Sequence, residues 1–311
     1  MDTSTPMDTS MDADKKYKFL SSGVTGYIVA TETSVIKVFN RQIVYDTSDY
    51  VLTKEERKLT CGKFTENDAL FVFGDADNAK HIVDQINRLE KELLILRKLK
   101  NNKNIVQLCE DDFIEINDYY LGICMERMSS DLFEWLKVYP SKKISEDMVL
   151  LFTNQLLHGL KAIHDLGWVH FDFKPANILI QGDVLKITDF GNSVNFIPGG
   201  HDHITANYRP IELFRKKKYK TFDDLKKADV WSLGCVVYEL LFIGTRFLPV
   251  KLTYTPEDVW VEMDKLEDIQ NNINRILIRN MICDLRNRRS IDELIILFDM
   301  HFKNNMLFYN I

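Results

Sequence analysis

The hydrophobic positions of this chain keep two different periods. From Tyr17 to Asn40 they fall in short β-rich runs broken by a glycine-containing turn. Val35-Ile36-Lys37-Val38-Phe39 is a compact β-branched segment with a single Lys inside it. From about 82 to 100 the period is helical, with Leu89, Leu93, Leu96 and Leu99 on one face. Between that strand and this helix lies a long polar connector, about 41–81, with one apolar patch at Ala69 to Phe73. Ile105 to Leu108 and Leu121 to Met125 read as two further strands. After Ser129-Ser130 the pattern turns helical. Val149, Phe152, Leu156, Leu160 and Ile163 step by three or four, predicting a long buried helix with Ser145 as its N-cap. Strands first and helices last predict an α+β protein with a small sheet-rich lobe and a larger helical lobe.

Composition narrows this picture only at the margins. The chain of 311 residues is long enough for two lobes, and 45% hydrophobic with 28% charged residues reads as soluble and globular. A formal net charge of −6 does not favour a nucleic-acid partner. No apolar run approaches a membrane span, and the N-terminus lacks a basic-then-apolar signal pattern. The cysteines, Cys61, Cys109, Cys124, Cys235 and Cys283, form no CxxC, which predicts a reducing cytoplasmic or nuclear compartment. His201 and His203 flank Asp202 but have no further ligand cluster, so they read as loop residues. Met1 to Asp14 is polar with a near-repeat of Met-Asp-Thr-Ser, and reads as a disordered tail.

The chemistry concentrates in His170-Phe171-Asp172-Phe173-Lys174-Pro175-Ala176-Asn177, followed by Asp189-Phe190-Gly191. Phosphoryl transfer needs a carboxylate near the attacking hydroxyl and oxygen ligands for Mg²⁺ between the phosphates. Two Asp and one Asn on neighbouring loops supply those groups. In residue types and spacing this stretch resembles the catalytic core of the eukaryotic protein kinases. The resemblance runs from about Phe19 to Leu294, because further motifs follow in the family's order. It implies a bilobal protein-kinase-like fold: a tail at 1–15, a β-rich N-lobe at 16–127 carrying an insertion at about 41–81, and a helical C-lobe at 128–311.

The resemblance implies ATP and Mg²⁺ as cofactors and gives each matching position a role. Asp172 is the expected base toward the substrate hydroxyl, and Lys174 is expected to stabilise charge on the transferred group. Asn177 and Asp189 are the expected metal ligands. Ser21, Ser22, Gly23, Gly26 and Ile28 match the phosphate-covering loop, although Ser21 replaces its first Gly and Thr25 its usual aromatic tip. Taken alone, that segment is an ordinary hairpin. Lys37 matches the lysine that holds the α- and β-phosphates, against the plain reading of an edge-strand surface lysine. Its expected partner is Glu92, with Glu90 as the rival. The long separation of Lys37 from either glutamate marks the 41–81 connector as an insertion where a regulatory partner would act. Glu126 and Met128, after the gatekeeper Met125, match the adenine-binding hinge, and Asp131 either takes the ribose hydroxyls or caps a helix.

His170 is expected to pack and hydrogen-bond rather than act as a base. Thr205 to Glu212 resembles the substrate-docking segment, with only Glu212 retained of its closing Ala-Pro-Glu. Glu212 and Arg288 are an expected buried ion pair, and Asp229, in Asp229-Val230-Trp231-Ser232-Leu233-Gly234, is expected to brace the catalytic loop. Phe171 departs from the family, which has Arg there to pair with a loop phosphate. Some Wee/Myt-like inhibitory kinases and divergent viral kinases share that departure, which implies activity without activation-loop phosphorylation. Lys174 with Thr205 resembles the serine/threonine class, so the expected partners are proteins bearing Ser or Thr. Two alternatives stand beside this reading: a nucleotide-binding pseudokinase scaffold, and a small-molecule kinase. The basic run Arg215 to Lys220 reads as a solvated face.

Overall fold

A computed structural model describes residues 18–23, 26–30, 32–40, 76–117, 120–138, 144–195, 204–214, 219–243, 245–247, 256–268 and 272–306. The tail at 1–15, the connector up to residue 75, Thr25, His201 with His203, and positions 215–218 of the basic run lie outside these residues. Among the described residues the chain forms two compact units. One comprises residues up to Arg97 together with Gln107–Arg127; the other comprises Lys98–Val106 and the residues from Met128 onward.

The first unit is built on an antiparallel sheet of five strands: β1 (Lys18–Gly23), β2 (Gly26–Ala30), β3 (Ser34–Asn40), β4 (Leu108–Asn117) and β5 (Tyr120–Glu126). Their spatial order is β1-β2-β3-β5-β4. The β-branched run of β3 therefore sits in the middle of the sheet. Lys37 pairs with Ile28 on one side and Ile123 on the other, which excludes the edge-strand reading. Helix α1 (Ala76–Lys98) begins earlier than its leucine period predicts, and it buries Leu89, Glu92, Leu93, Ile95 and Leu96.

One expected strand is displaced. Ile105 to Leu108 does not form a ladder; β4 starts only at Leu108 and runs on to Asn117. The preceding apolar residues Ile105 and Val106 are spent in the second unit. There Val106 N–H donates to Ile187 C=O at 3.0 Å, and Ile187 N–H donates to Asn104 C=O at 2.8 Å.

In the second unit, β6 (Ser130–Asp131), β7 (Ile178–Gln181) and β8 (Val184–Ile187) form a small antiparallel sheet. Helices α2 (Leu132–Val138), α3 (Glu146–Asp165), α4 (Ile211–Phe214), α5 (Phe222–Leu241), α6 (Pro256–Asp264), α7 (Asn272–Met281) and α8 (Ile291–Met306) make up most of the rest. Ser145 caps α3, accepting Met148 N–H at 3.2 Å, and the expected stripe from Val149 to Ile163 is buried. α5 is the hub, buried on all sides from Ala228 to Leu241. Such a helix needs a backbone contact point, and Gly234 supplies it. A Cβ there would lie 2.7 Å from Ile282 Cγ1 and 2.9 Å from Met281 Cβ. Among the described residues no helix is long and apolar enough to cross a membrane.

Candidate active site

The catalytic-loop segment of the second unit is shaped from beneath by one carboxylate. Asp229 of α5, 1% exposed, accepts the backbone N–H groups of His170 (2.8 Å) and Phe171 (2.9 Å), and its Oδ2 also meets His164 Nε2 at 2.9 Å. These donors satisfy a charge that would otherwise be costly to bury. They also hold Phe171 at φ +63°, a left-handed conformation that a bulky residue keeps only when its surroundings impose it. His170 is a bridge, as expected. Its Nε2 faces the Thr188 carbonyl at 3.0 Å, and its Nδ1 accepts Asp172 N–H at 3.3 Å. A carbonyl only accepts, so these partners assign the ring proton to Nε2.

Asp172, 4% exposed, is where the predicted residues converge. Lys174 Nζ lies 2.7 Å from its Oδ2, and the Thr205 hydroxyl donates to its Oδ1 at 2.6 Å. Lys174 also reaches Thr205 Oγ1 at 3.0 Å. Asn177 Nδ2 holds the Asp172 carbonyl at 2.8 Å and approaches Oδ2 at 3.3 Å. Thr188 N–H donates to Asn177 C=O at 3.0 Å, which sets Asp189 beside the Asn177 turn. Asp189 is itself left-handed, at φ +64°. A further donor was not anticipated from sequence: Asn192 Nδ2 stands 3.4 Å from Asp172 Oδ2. The signal available for it was slight, a polar residue directly after Asp-Phe-Gly.

In the first unit, Lys37 Nζ pairs with Glu92 Oε2 at 2.8 Å, with side chains 15% and 2% exposed. Glu92 rather than Glu90 is thus the glutamate that meets Lys37. Ser21, Ser22 and Gly23 lie on β1 opposite Ile28, Tyr27 and Gly26 of β2, after a register shift between Phe19 and Ser21. Glu126 ends β5. Its N–H donates to Gln107 C=O at 2.9 Å, and its Oε1 accepts Gln107 N–H at 2.7 Å. Arg127 N–H donates to Thr33 C=O at 3.2 Å, and Met128, half-buried, opens the second unit. Asp131 caps α2 by accepting Glu134 N–H at 2.9 Å, which realises the capping option. Burial raises its carboxyl above the ordinary value despite that backbone donor.

Behind the docking segment, Glu212 and Arg288 form the expected buried ion pair. Phe171 sits in an apolar cluster. It packs with Val169, Ile204, Tyr219, Leu225 and Ala228, with Val194 against the same cluster.

Comparison with known proteins agrees with this geometry. Residues 64–296 match the model of the protein kinase domain. That match begins after β3, so the placement of Lys37 rests on its contact with Glu92. The chain is 36% identical over 170 residues to the human MAPK/MAK/MRK overlapping kinase, covering 53% of this chain and 38% of that protein. It is 33% identical over 162 residues to mitogen-activated protein kinase spk1 of Schizosaccharomyces pombe, covering 50% and 42%. It is 28% identical over 201 residues to serine/threonine-protein kinase mph1 of the same yeast, covering 60% and 29%. The chain spans less than half the length of these curated relatives.

Proposed function

Because this chain belongs to the protein kinase family, we propose that it transfers the γ-phosphoryl group of ATP to Ser and Thr hydroxyls of protein substrates. The observation that carries the reading is the Asp172 carboxylate, which already accepts one hydroxyl, that of Thr205 at 2.6 Å, with the Lys174 ammonium 2.7 Å away. A substrate hydroxyl in the same relation would be oriented by Asp172 and give up its proton to it. Its oxygen then bonds to the γ-phosphorus as the bond to the bridging oxygen breaks, and ADP leaves with that electron pair. Lys174 steadies the charge on the phosphoryl group in flight.

Asn177 and Asp189 offer amide and carboxylate oxygens, the hard donors Mg²⁺ takes. The Asn177 nitrogen is committed to the Asp172 carbonyl at 2.8 Å, so its oxygen is the atom for a ligand. Bound there, Mg²⁺ would neutralise charge on the phosphate oxygens. Lys37, held by Glu92, takes the α- and β-phosphates. The backbone around Ser21, Ser22, Gly23 and Gly26, with Ile28, covers the nucleotide. Glu126 and Met128 receive adenine.

The test is γ-phosphate transfer from labelled ATP with Mg²⁺ to a panel of acidic and basic proteins, beside Asp172→Asn. Loss of the general base should lower turnover by about 10²–10⁴-fold while ATP still binds. ATP binding by the unmodified chain with no transfer would replace this reading with a nucleotide-binding scaffold.

A further inference from the structure

Asp172 Oδ2 faces three nitrogen donors, from Lys174 at 2.7 Å, Asn177 at 3.3 Å and Asn192 at 3.4 Å. Two of them have other work in the proposed reaction, on the phosphoryl group and on the metal. Asn192 has none, yet its amide faces the base. A carboxylate only accepts, so the Asn192 nitrogen rather than its oxygen must turn toward Asp172. Its place is also held firmly. Asn192 ends the one-turn helix Phe190–Asn192 that begins after the left-handed Asp189. The next residues fasten that turn to the catalytic loop: Ser193 Oγ donates to His170 C=O at 3.3 Å, and Val194 and Val169 exchange backbone bonds at 2.9 Å.

We propose that Asn192 is a positioning residue for phosphoryl transfer, its side-chain amide holding the Asp172 carboxylate in line while tying the Asp189 turn to it. The inference rests on the kinase reading above. The direction of its effect follows from hydrogen bonding. An N–H donated to Oδ2 fixes the rotation of the carboxylate, so its loss lets the base drift from the substrate hydroxyl and lowers kcat more than it changes KM for ATP.

The experiment compares the full chain with Asn192→Leu, Asn192→Ala, Asn192→Asp and Asp172→Asn. Protein phosphorylation is measured as kcat and KM for ATP, with the thermal midpoint of each variant. Asn192→Leu and Asn192→Ala should lower kcat by about 10- to 100-fold, as loss of a supporting partner typically does, with KM for ATP unchanged. Asn192→Asp keeps the shape but replaces the donor by a like charge, so it should lower kcat furthest. A packing role would instead make Asp the mildest change. If all three Asn192 variants keep the parental kcat while Asp172→Asn abolishes transfer, the positioning role is wrong and the kinase reading stands. If Asp172→Asn transfers phosphate as well as the parent, the assignment of the base fails and the role of Asn192 falls with it. Asn192→Ala keeps the test decisive should Leu prevent folding.

Discussion

Arg288 grips Glu212 with both terminal nitrogens, Nη1 to Oε1 at 2.8 Å and Nη2 to Oε2 at 3.0 Å. The guanidinium also donates to the carbonyls of Lys227 and Cys283 and lies 4.8 Å from the Trp231 ring centre, while the Tyr219 hydroxyl donates to Glu212. A buried pair adds little net stability over an apolar replacement of both partners, but removing one partner strands the other. Arg288→Met should therefore cost about 3–5 kcal/mol, read from denaturant unfolding. Arg288→Lys should recover only part of that, because a lysine cannot make the fork. A loss in the range of a surface ion pair for Arg288→Met would contradict the assignment.

Stability should also carry a pH signature from Glu239. Burial pushes its carboxyl up to about 7 from 4.5, against the opposing pull of the Tyr208 hydroxyl and Arg246; Cys235, one turn earlier on α5, is the other titratable neighbour. Between those values the folded chain holds a proton that the unfolded chain releases. The contribution is thus full at acid pH and is lost as pH rises through the folded value, by about 3 kcal/mol in all. Glu239→Gln should raise the thermal midpoint at pH 8 and flatten its difference from pH 5. Identical pH profiles for parent and variant would remove Glu239 as the source.

Lys37 and Glu92 should be separable by kinetics. Lys37→Met removes the cation we propose for the α- and β-phosphates and should lower kcat/KM for ATP by about 10²–10³-fold, the usual scale for one preorganised donor. Glu92→Gln leaves the cation but loosens its anchor, and should do less harm. Equal, small effects from both would place Lys37 outside the nucleotide site.

Phe171 leads to a regulatory expectation. It is uncharged, buried, and packed on Ile204 beside the Val169–Val194 backbone pair. Beside the Thr205 hydroxyl bond to Asp172, position 171 contributes apolar packing, rather than an Arg–phosphate pair, between the catalytic and docking segments. Exhaustive phosphatase treatment of the purified chain should leave its transfer rate unchanged. A rate that collapses on treatment and returns on rephosphorylation would show that a phosphate is required after all.

Sequence made some of this legible and hid the rest for definite reasons. Asp172, Lys174, Asn177 and Asp189 announce themselves because they lie on two short loops whose spacing is itself the signal. The α3 stripe and its Ser145 cap were readable because helix periodicity and capping are local. Asn192 was not, since its link to Asp172 spans 20 residues and depends on how the turn after Asp189 comes back. The start of β4 was misplaced for a related reason. Ile105 and Val106 have the composition of a strand, but Ile105 N–H turns back to Asn102 C=O and Val106 N–H reaches Ile187 C=O within the second unit. Apolar residues report burial, not which element buries them.

Asp229 reads the catalytic loop through its main chain. It binds the N–H groups of positions 170 and 171, which every residue except proline possesses, and so it specifies a backbone path without specifying side chains. The loop's architecture and its vocabulary are therefore decoupled. Any residue but proline at 171, such as this chain's Phe, offers the same N–H to Asp229 and leaves Asp172 where the backbone path puts it. Regulation can then drift while the chemistry stays where it was.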